Sequence, residues 1–314
     1  MMNDVLEVTK ANFLALFIDR GRTQQQSMGL TQSGPMDEYA FLWANKLLGN
    51  ELNAACIEIS FGKFSLKARQ RCQVAITGAN LKVQLNQQAL QNWETIGLKV
   101  GDELVFDSPQ MQGTRAYLAI KGGFECPKPF NSACTVKREN LGGFDRGGAL
   151  KVGDKLSSCI PQAQHQMVNI SVYPDLIRSY NNQETITCRF IPACQWPLFS
   201  CQEQQRFLQQ EYRISSESDR MGFRLQGEKI NTFSEGIISE GIALGAIQIP
   251  PDGQPIVLMR DRQTIGGYPK LGVVLSTDIE KIGQAMPGQK VQFQVADIKT
   301  AYEERVQREQ FFGN

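Results

Sequence analysis

At 314 residues and a net charge of +1, from 33 basic and 32 acidic side chains, the chain can bury a sizeable core in two domains. The charges are dispersed, with no polybasic block, which argues against nucleic acid or an anionic membrane as a partner. No apolar run reaches the roughly 18 residues of a membrane span. The start, Met1-Met2-Asn3-Asp4-Val5-Leu6-Glu7, carries acids where a signal peptide carries Lys or Arg, so a cytoplasmic protein is expected.

From the N-terminus, residues 5–18 alternate loosely and end in the charged turn Asp19-Arg20-Gly21-Arg22. A polar loop follows, with Ser33-Gly34-Pro35 as punctuation. Met36, Ala40, Trp43, Ala44, Leu47 and Leu48 then recur at helical spacing, with Asp37 placed either to cap the first turn or to serve a site. Short strands are expected at Ala55–Ile59, Phe64–Leu66, Gln73–Thr77, Leu81–Leu85, Leu104–Phe106 and Arg115–Ile120, the pattern of a sandwich or barrel. The glycine-rich stretch 121–149 reads as an irregular loop, either a functional lid or an excursion between strands.

Around 158–168 the composition turns to Ser, Gln, Pro and Ala, which marks a boundary. Domains are therefore expected at 1–160 and 168–298, followed by a charged helical tail at 299–314. The second half shows strands near 168–173 and 185–191, then at Tyr212–Ile214, Gly236–Ile238, Ala246–Ile249, Ile256–Met259, Leu271–Leu275 and Val291–Val295. Capping boxes at Ser200-Cys201-Gln202-Glu203 and Thr277-Asp278-Ile279-Glu280 predict two short helices. One turn-then-strand design recurs at Leu98–Phe106, Leu150–Leu156 and Ala285–Phe293, which points to two related β-domains.

The eight cysteines include no Cys-x-x-Cys and fall partly in apolar strands, so reduced structural thiols are expected. His165 is the single histidine and lies in a linker-like stretch, which removes His-based catalysis and metal binding and leaves acid–base work to Asp, Glu, Tyr or Lys. Neither a P-loop nor a Rossmann fingerprint is present.

Three polar clusters interrupt the strand pattern. They are Arg22 with Ser33, Gly34 and Asp37; Ser216–Gly222, which carries Arg220; and the nine residues Asp261–Pro269, approached by Gln248. The last cluster holds more hydrogen-bonding groups than a hairpin needs. Its Gly266-Gly267 pair lets backbone approach a ligand. Arg220, Asp261 and Tyr268 are the expected catalytic groups, with Arg220 facing developing negative charge and Asp261 or Tyr268 moving protons. Arg22, Ser33, Gly34, Asp37, Gln248, Gln263, Thr264, Gly266 and Gly267 are the expected substrate contacts, and no metal ligands are expected. Arg262 should face away from Asp261, since neighbours on an extended segment alternate.

Gly21-Arg22, Ser33-Gly34-Pro35-Met36-Asp37, Glu58-Ile59, Arg115-Ala116-Tyr117-Leu118, Ser218-Asp219-Arg220-Met221-Gly222, Gln248-Ile249-Pro250 and Asp261–Pro269 are strings in which the chain resembles the biotin-dependent carboxyltransferase family, also called allophanate hydrolase subunit 2-like. The resemblance runs nearly full length. It implies a mainly β architecture of two cyclophilin-like β-barrel domains with a few short helices. It also implies a heteromeric complex with a B component, similar to allophanate hydrolase subunit 1, and a larger A component. One branch of the family opens 5-oxo-L-proline to L-glutamate with ATP, which would bind with or through the partner subunits. Relatives take a carboxyl group from carboxybiotin in urea carboxylase, and others antagonise an inhibitor of a histidine kinase. Biotin attachment to this chain is not expected, since Gln284-Ala285-Met286-Pro287 offers no lysine.

Overall fold

The computed structural model describes residues 4–12, 14–108, 112–162, 167–180, 184–234 and 236–313. Contacts divide the chain into two compact units: Met1–Arg22 with Ser33–Asn181, and Thr23–Gln32 with Asn182–Asn314. The stretch 23–32 thus groups with the second half, and 167–180 stays with the first.

In the first unit the strands form two antiparallel sheets, and most strands of the five-stranded one are buried along their whole length. One runs, edge to edge, through Phe124–Glu125, Lys155–Ser158, Asp4–Lys10, Phe64–Ala68, Glu103–Phe106, Gln84–Leu85 and Gln88–Ala89. The other runs through Ala15–Ile18, Cys56–Ser60, Arg115–Ile120, Cys72–Gly78 and Glu94–Leu98. A single apolar cluster that includes Leu6, Phe64, Phe106, Ile57, Ile76 and Leu118 fills the space they share. Helix α1 (Glu38–Leu47) lies on the five-stranded sheet, where Thr77 Oγ1 donates to Ala40 O at 2.6 Å. The residues 168–173 are not a strand; only Ser171 bridges, to Glu94.

The second unit is a closed barrel in the order Ile186–Pro192, Lys270–Val274, Ala246–Gln248, Ile256–Leu258, Gly222–Gln226, Tyr212–Ile214 and Lys290–Val295. Parallel pairing of the last strand with the first closes it. Its core is aromatic: Phe207 stacks on Phe293 with ring centroids 4.6 Å apart, and Phe190 meets Phe207 edge-on at 5.5 Å. Gly272 sits in a strand because a Cβ there would lie 2.4 Å from Phe190 Cδ2. Helix α2 (Cys201–Gln209) starts at Ser200, which accepts the Glu203 amide, as expected of a cap. Helix α3 (Ser276–Gly283) corrects the other capping expectation: it begins before Thr277, whose hydroxyl is taken by Glu304 at 3.2 Å. The tail is helix α4 (Ile298–Phe312). No helix among the described residues is long and apolar enough to cross a membrane.

Arg189 ties α3 and α4 to the barrel. It donates from Nε to Asp278 Oδ2 at 2.8 Å and from Nη1 and Nη2 to the two Glu304 oxygens. Burial alone would raise Asp278, but hydrogen bonds from Arg189 and Lys281 outweigh it and hold the carboxyl below its ordinary range. Glu304 is lowered chiefly by its bond to Arg189. Both are depressed acids, so their contribution is complete above the ordinary carboxylate range and is lost as pH falls through their folded values. Arg189→Met should cost about 1.5–3 kcal/mol at pH 7 by urea unfolding. The gap to the wild type should close below about pH 4; a pH-independent gap would mean that packing, not charge pairing, is what Arg189 supplies.

Candidate functional site

In the first unit the Ser33-Gly34-Pro35-Met36-Asp37 segment is locked by buried polar groups. Ser33 is fully buried with a positive φ of 60°, a conformation that non-glycine residues rarely adopt. The Met36 amide donates to Glu58 Oε2 at 2.9 Å, and the Asp37 amide donates to Tyr117 Oη at 2.7 Å. Tyr117 in turn donates to Glu58 Oε2 at 2.8 Å, with Arg115 Nε 3.9 Å from Glu58 Oε1. Burial, reinforced by the charges of Glu58 and Asp37, pushes the Tyr117 phenol well above its ordinary range, so it works as a neutral relay. Asp37 caps α1 through the Ala40 amide at 3.1 Å. Its other oxygen accepts the Tyr180 hydroxyl, and Arg178 approaches at 3.8 Å. Its carboxylate therefore fastens α1 to the segment around 178–180.

Arg22 also belongs to this unit and is fully buried, with Nη2 donating to Cys134 O. Glu58 and Tyr117 are not among the expected site residues. The available signal is a lone acid inside the apolar run Cys56-Ile57-Glu58-Ile59.

In the second unit, Asp219 Oδ1 accepts the Met221 and Gly222 amides and so turns the chain at Arg220. Arg220 forms a fork with Asp261, Nε to Oδ2 at 2.9 Å and Nη2 to Oδ1 at 3.0 Å, while the Asp261 amide bonds Arg220 O at 2.7 Å. The two expected catalytic charges thus hold one another and pin the entry of the 261–269 loop. Arg262 points inward, to Ile242 O at 3.1 Å, Met259 O at 3.3 Å and Gln32 Oε1 at 3.3 Å. Burial, with the like charge of Arg260, lowers it to about 10, which leaves it protonated at neutral pH. Its role is to fasten backbone, so it is no idle surface charge.

The loop then pairs with 237–242. Ile237 N reaches Gly267 O at 2.7 Å, Ile242 N reaches Thr264 O at 3.0 Å, and Glu240–Gly241 forms a two-residue ladder with Ile265–Gly266. The expected strand at 236–238 is displaced to this ladder. Gln195 and Lys270 clamp Glu240, at 2.7 Å and 2.6 Å. The Lys270 contact is close but poorly aligned for a directed bond, so it acts as an ion pair.

Gln248 is buried, and its Nε2 has no hydrogen-bond partner among the described residues. A Cβ on Gly266 would lie 3.1 Å from Gln248 Nε2, 3.5 Å from Gln263 Nε2 and 2.5 Å from Ile242 Cδ1. Two side-chain amides therefore flank a glycine that leaves them room. Tyr268, two residues on, is 41 % exposed. Gln248, Gln263 and Gly266 are thus brought together, and Arg220 and Asp261 hold one another at the entry of the same loop, two residues before Gln263. His165 lies outside the described residues.

Residues 28–295 match the family model described as "Carboxyltransferase domain, subdomain A and B". The chain is 30% identical to the C subunit of 5-oxoprolinase from Escherichia coli over 98% of its own length and 96% of that protein. It is likewise 30% identical to the C subunit of 5-oxoprolinase from Haemophilus influenzae, covering 96% of this chain and 93% of that one. The crystal structure of Kluyveromyces lactis urea carboxylase superposes with a TM-score of 0.92 at 25% identity, over 99% of this chain but 29% of that longer one. The chain belongs to the carboxyltransferase domain family. Its mainly β architecture is the one that the family resemblance implied.

Tyr117→Phe should expose how much the first unit depends on its relay. It leaves the Asp37 amide and one Glu58 oxygen short of a partner, and should cost about 1–3 kcal/mol in urea unfolding. An unchanged midpoint would show that the phenol is dispensable.

Proposed function

We propose that this chain is the substrate-handling member of an ATP-dependent complex that opens 5-oxo-L-proline to L-glutamate, with the B component and the larger A component as partners. One observation carries this reading: the match to the C subunits of two bacterial 5-oxoprolinases runs end to end in both directions. The urea carboxylase match is instead a module in a much longer chain.

The buried Gln248 amide suits a lactam. Gln248 Nε2 supplies a desolvated donor for the ring carbonyl oxygen, where negative charge grows as the C–N bond is opened. Gln263 and Thr264 would address the rest of the ring, and Gly266 and Gly267 let it approach the backbone. Tyr268, the exposed phenol of the loop, would pass the proton to the departing nitrogen. Asp261 acts through Arg220 to fix where the loop begins. ATP would be held with or by the partner subunits, because this chain has no P-loop.

A second reading, carboxyl transfer from biotin on a separate carrier, is favoured by the urea carboxylase superposition. A ureido carbonyl presents the same acceptor to Gln248.

The assembled complex should consume 5-oxoproline and ATP together and release glutamate. Gln248→Leu should lower kcat about 100- to 1,000-fold with its thermal midpoint preserved. Gly266→Ala, which crowds Gln248 and Ile242, should raise KM in the same assay. A complete complex that is inert on 5-oxoproline, yet moves carboxyl groups from a carboxybiotin carrier, would favour the second reading.

A further inference from the structure

Arg22 carries a second unexplained donor set. Its side chain is wholly enclosed, and Nη2 donates to the Cys134 carbonyl. Nε and Nη1 have no hydrogen-bond partner among the described residues. A guanidinium has five N–H groups, so the Nε hydrogen and both Nη1 hydrogens are idle. Buried donors on a charged group are nearly always met by protein, water or an ion.

The carboxylate closest in sequence does not meet them. Asp19 is buried beside Cys134, but its oxygens accept the Gly21 amide at 2.9 Å, the Ser132 hydroxyl at 2.7 Å and the Ala133 amide at 2.7 Å. Asp145, on the glycine-rich loop, pairs with Lys151 at the surface.

That loop is built to come close. Gly142 has φ +65°, and a Cβ there would lie 2.0 Å from Cys134 O and 2.6 Å from Arg22 Nη2. Gly143 has φ +68°, and its Cβ would lie 2.6 Å from Thr135 Oγ1. Any side chain at Gly142 would crowd the guanidinium. Backbone, not a side chain, therefore packs against Nη2 of this cation.

We propose that Arg22, under the Gly142–Gly148 loop of the first unit, anchors a binding site for a small planar oxyanion of the carboxyl type. A planar guanidinium matches a planar carboxyl group edge to edge. Bicarbonate and the carboxylate of a small organic acid share this chemistry. The site stands on residues of the first unit alone and does not depend on the 5-oxoproline reading.

The test uses the full chain labelled with 15N at arginine Nε. Bicarbonate, acetate and phosphate are titrated at constant ionic strength against chloride. The Arg22 Nε–H signal is identified by its loss in Arg22→Lys or, should that variant not fold, as the arginine Nε–H slowest to exchange with solvent. Saturable movement of this signal with bicarbonate or acetate is expected, with a parallel rise in thermal midpoint that weakens at least tenfold in apparent affinity in Arg22→Lys. Saturation by bicarbonate alone would identify a carbon dioxide-level ligand, and saturation by acetate as well a site for organic carboxylates. A signal indifferent to all three anions, one that saturates with phosphate only, or equal protection of Arg22→Lys would overturn the proposal.

Discussion

A carboxylate can be enclosed among β-strands only if donors replace the water it loses. Glu58 meets that condition with the Met36 amide and the Tyr117 hydroxyl on one oxygen and Arg115 near the other. The consequence reaches beyond the sheet. Because Tyr117 also accepts the Asp37 amide, the turn that begins α1 is registered against two strands at once. Asp37, so placed, caps the helix and holds Tyr180. One buried acid thereby fixes the Ser33–Asp37 turn, including the left-handed Ser33, which would be unfavourable in an unsupported loop.

The second unit solves a similar problem with a cation–anion fork. The 261–269 loop leaves the barrel where Arg220 grips Asp261, and it returns at Lys270 under the Gln195–Glu240 clamp. Between those anchors Arg262 holds the loop down from inside through two backbone carbonyls. The loop is therefore rigid at both ends and along its buried face, while Tyr268 stays accessible. Rigid support of this kind is what a donor needs if it is to be aimed before a substrate arrives.

Local grammar is legible in the sequence, and long-range pairing is not. The three echoed turns share one structure. Lys99 N and Lys151 N are accepted by Asp102 Oδ2 and Asp154 Oδ2, each at 2.7 Å, and Met286 N by Gln289 Oε1 at 3.3 Å. In each, a positive-φ glycine follows: Gly101, Gly153 and Gly288. The Ser200 cap can be read for the same reason, since its partner is three residues away. Thr277 misleads because the same hydroxyl serves a residue on α4, 27 positions on. Arg220 and Asp261 stand out as charges, but nothing in a string shows that residues 41 positions apart neutralise each other. Alternation sets Arg262 apart from Asp261 in direction, yet it does not tell an inward anchor from a solvated charge. The stretch 23–32 gives no sign of grouping with the second half, because its contacts lie more than 200 residues away, as between Gln32 and Arg262.

On the proposed reading, the site chemistry would also account for one fold sitting in enzymes of different names. Lactams and ureido groups present the same planar carbonyl flanked by nitrogen, so a buried amide donor with a glycine beside it would recognise what they share. What separates them is the source of activation and the group that accepts the product, and both can reside on other domains or chains. Divergence then requires no change in the barrel or in the loop anchors, only in what is delivered to the loop. On that view the residues that anchor the loop should vary less among relatives than the exposed Ile265, since the anchors fix the geometry on which the loop's donors depend.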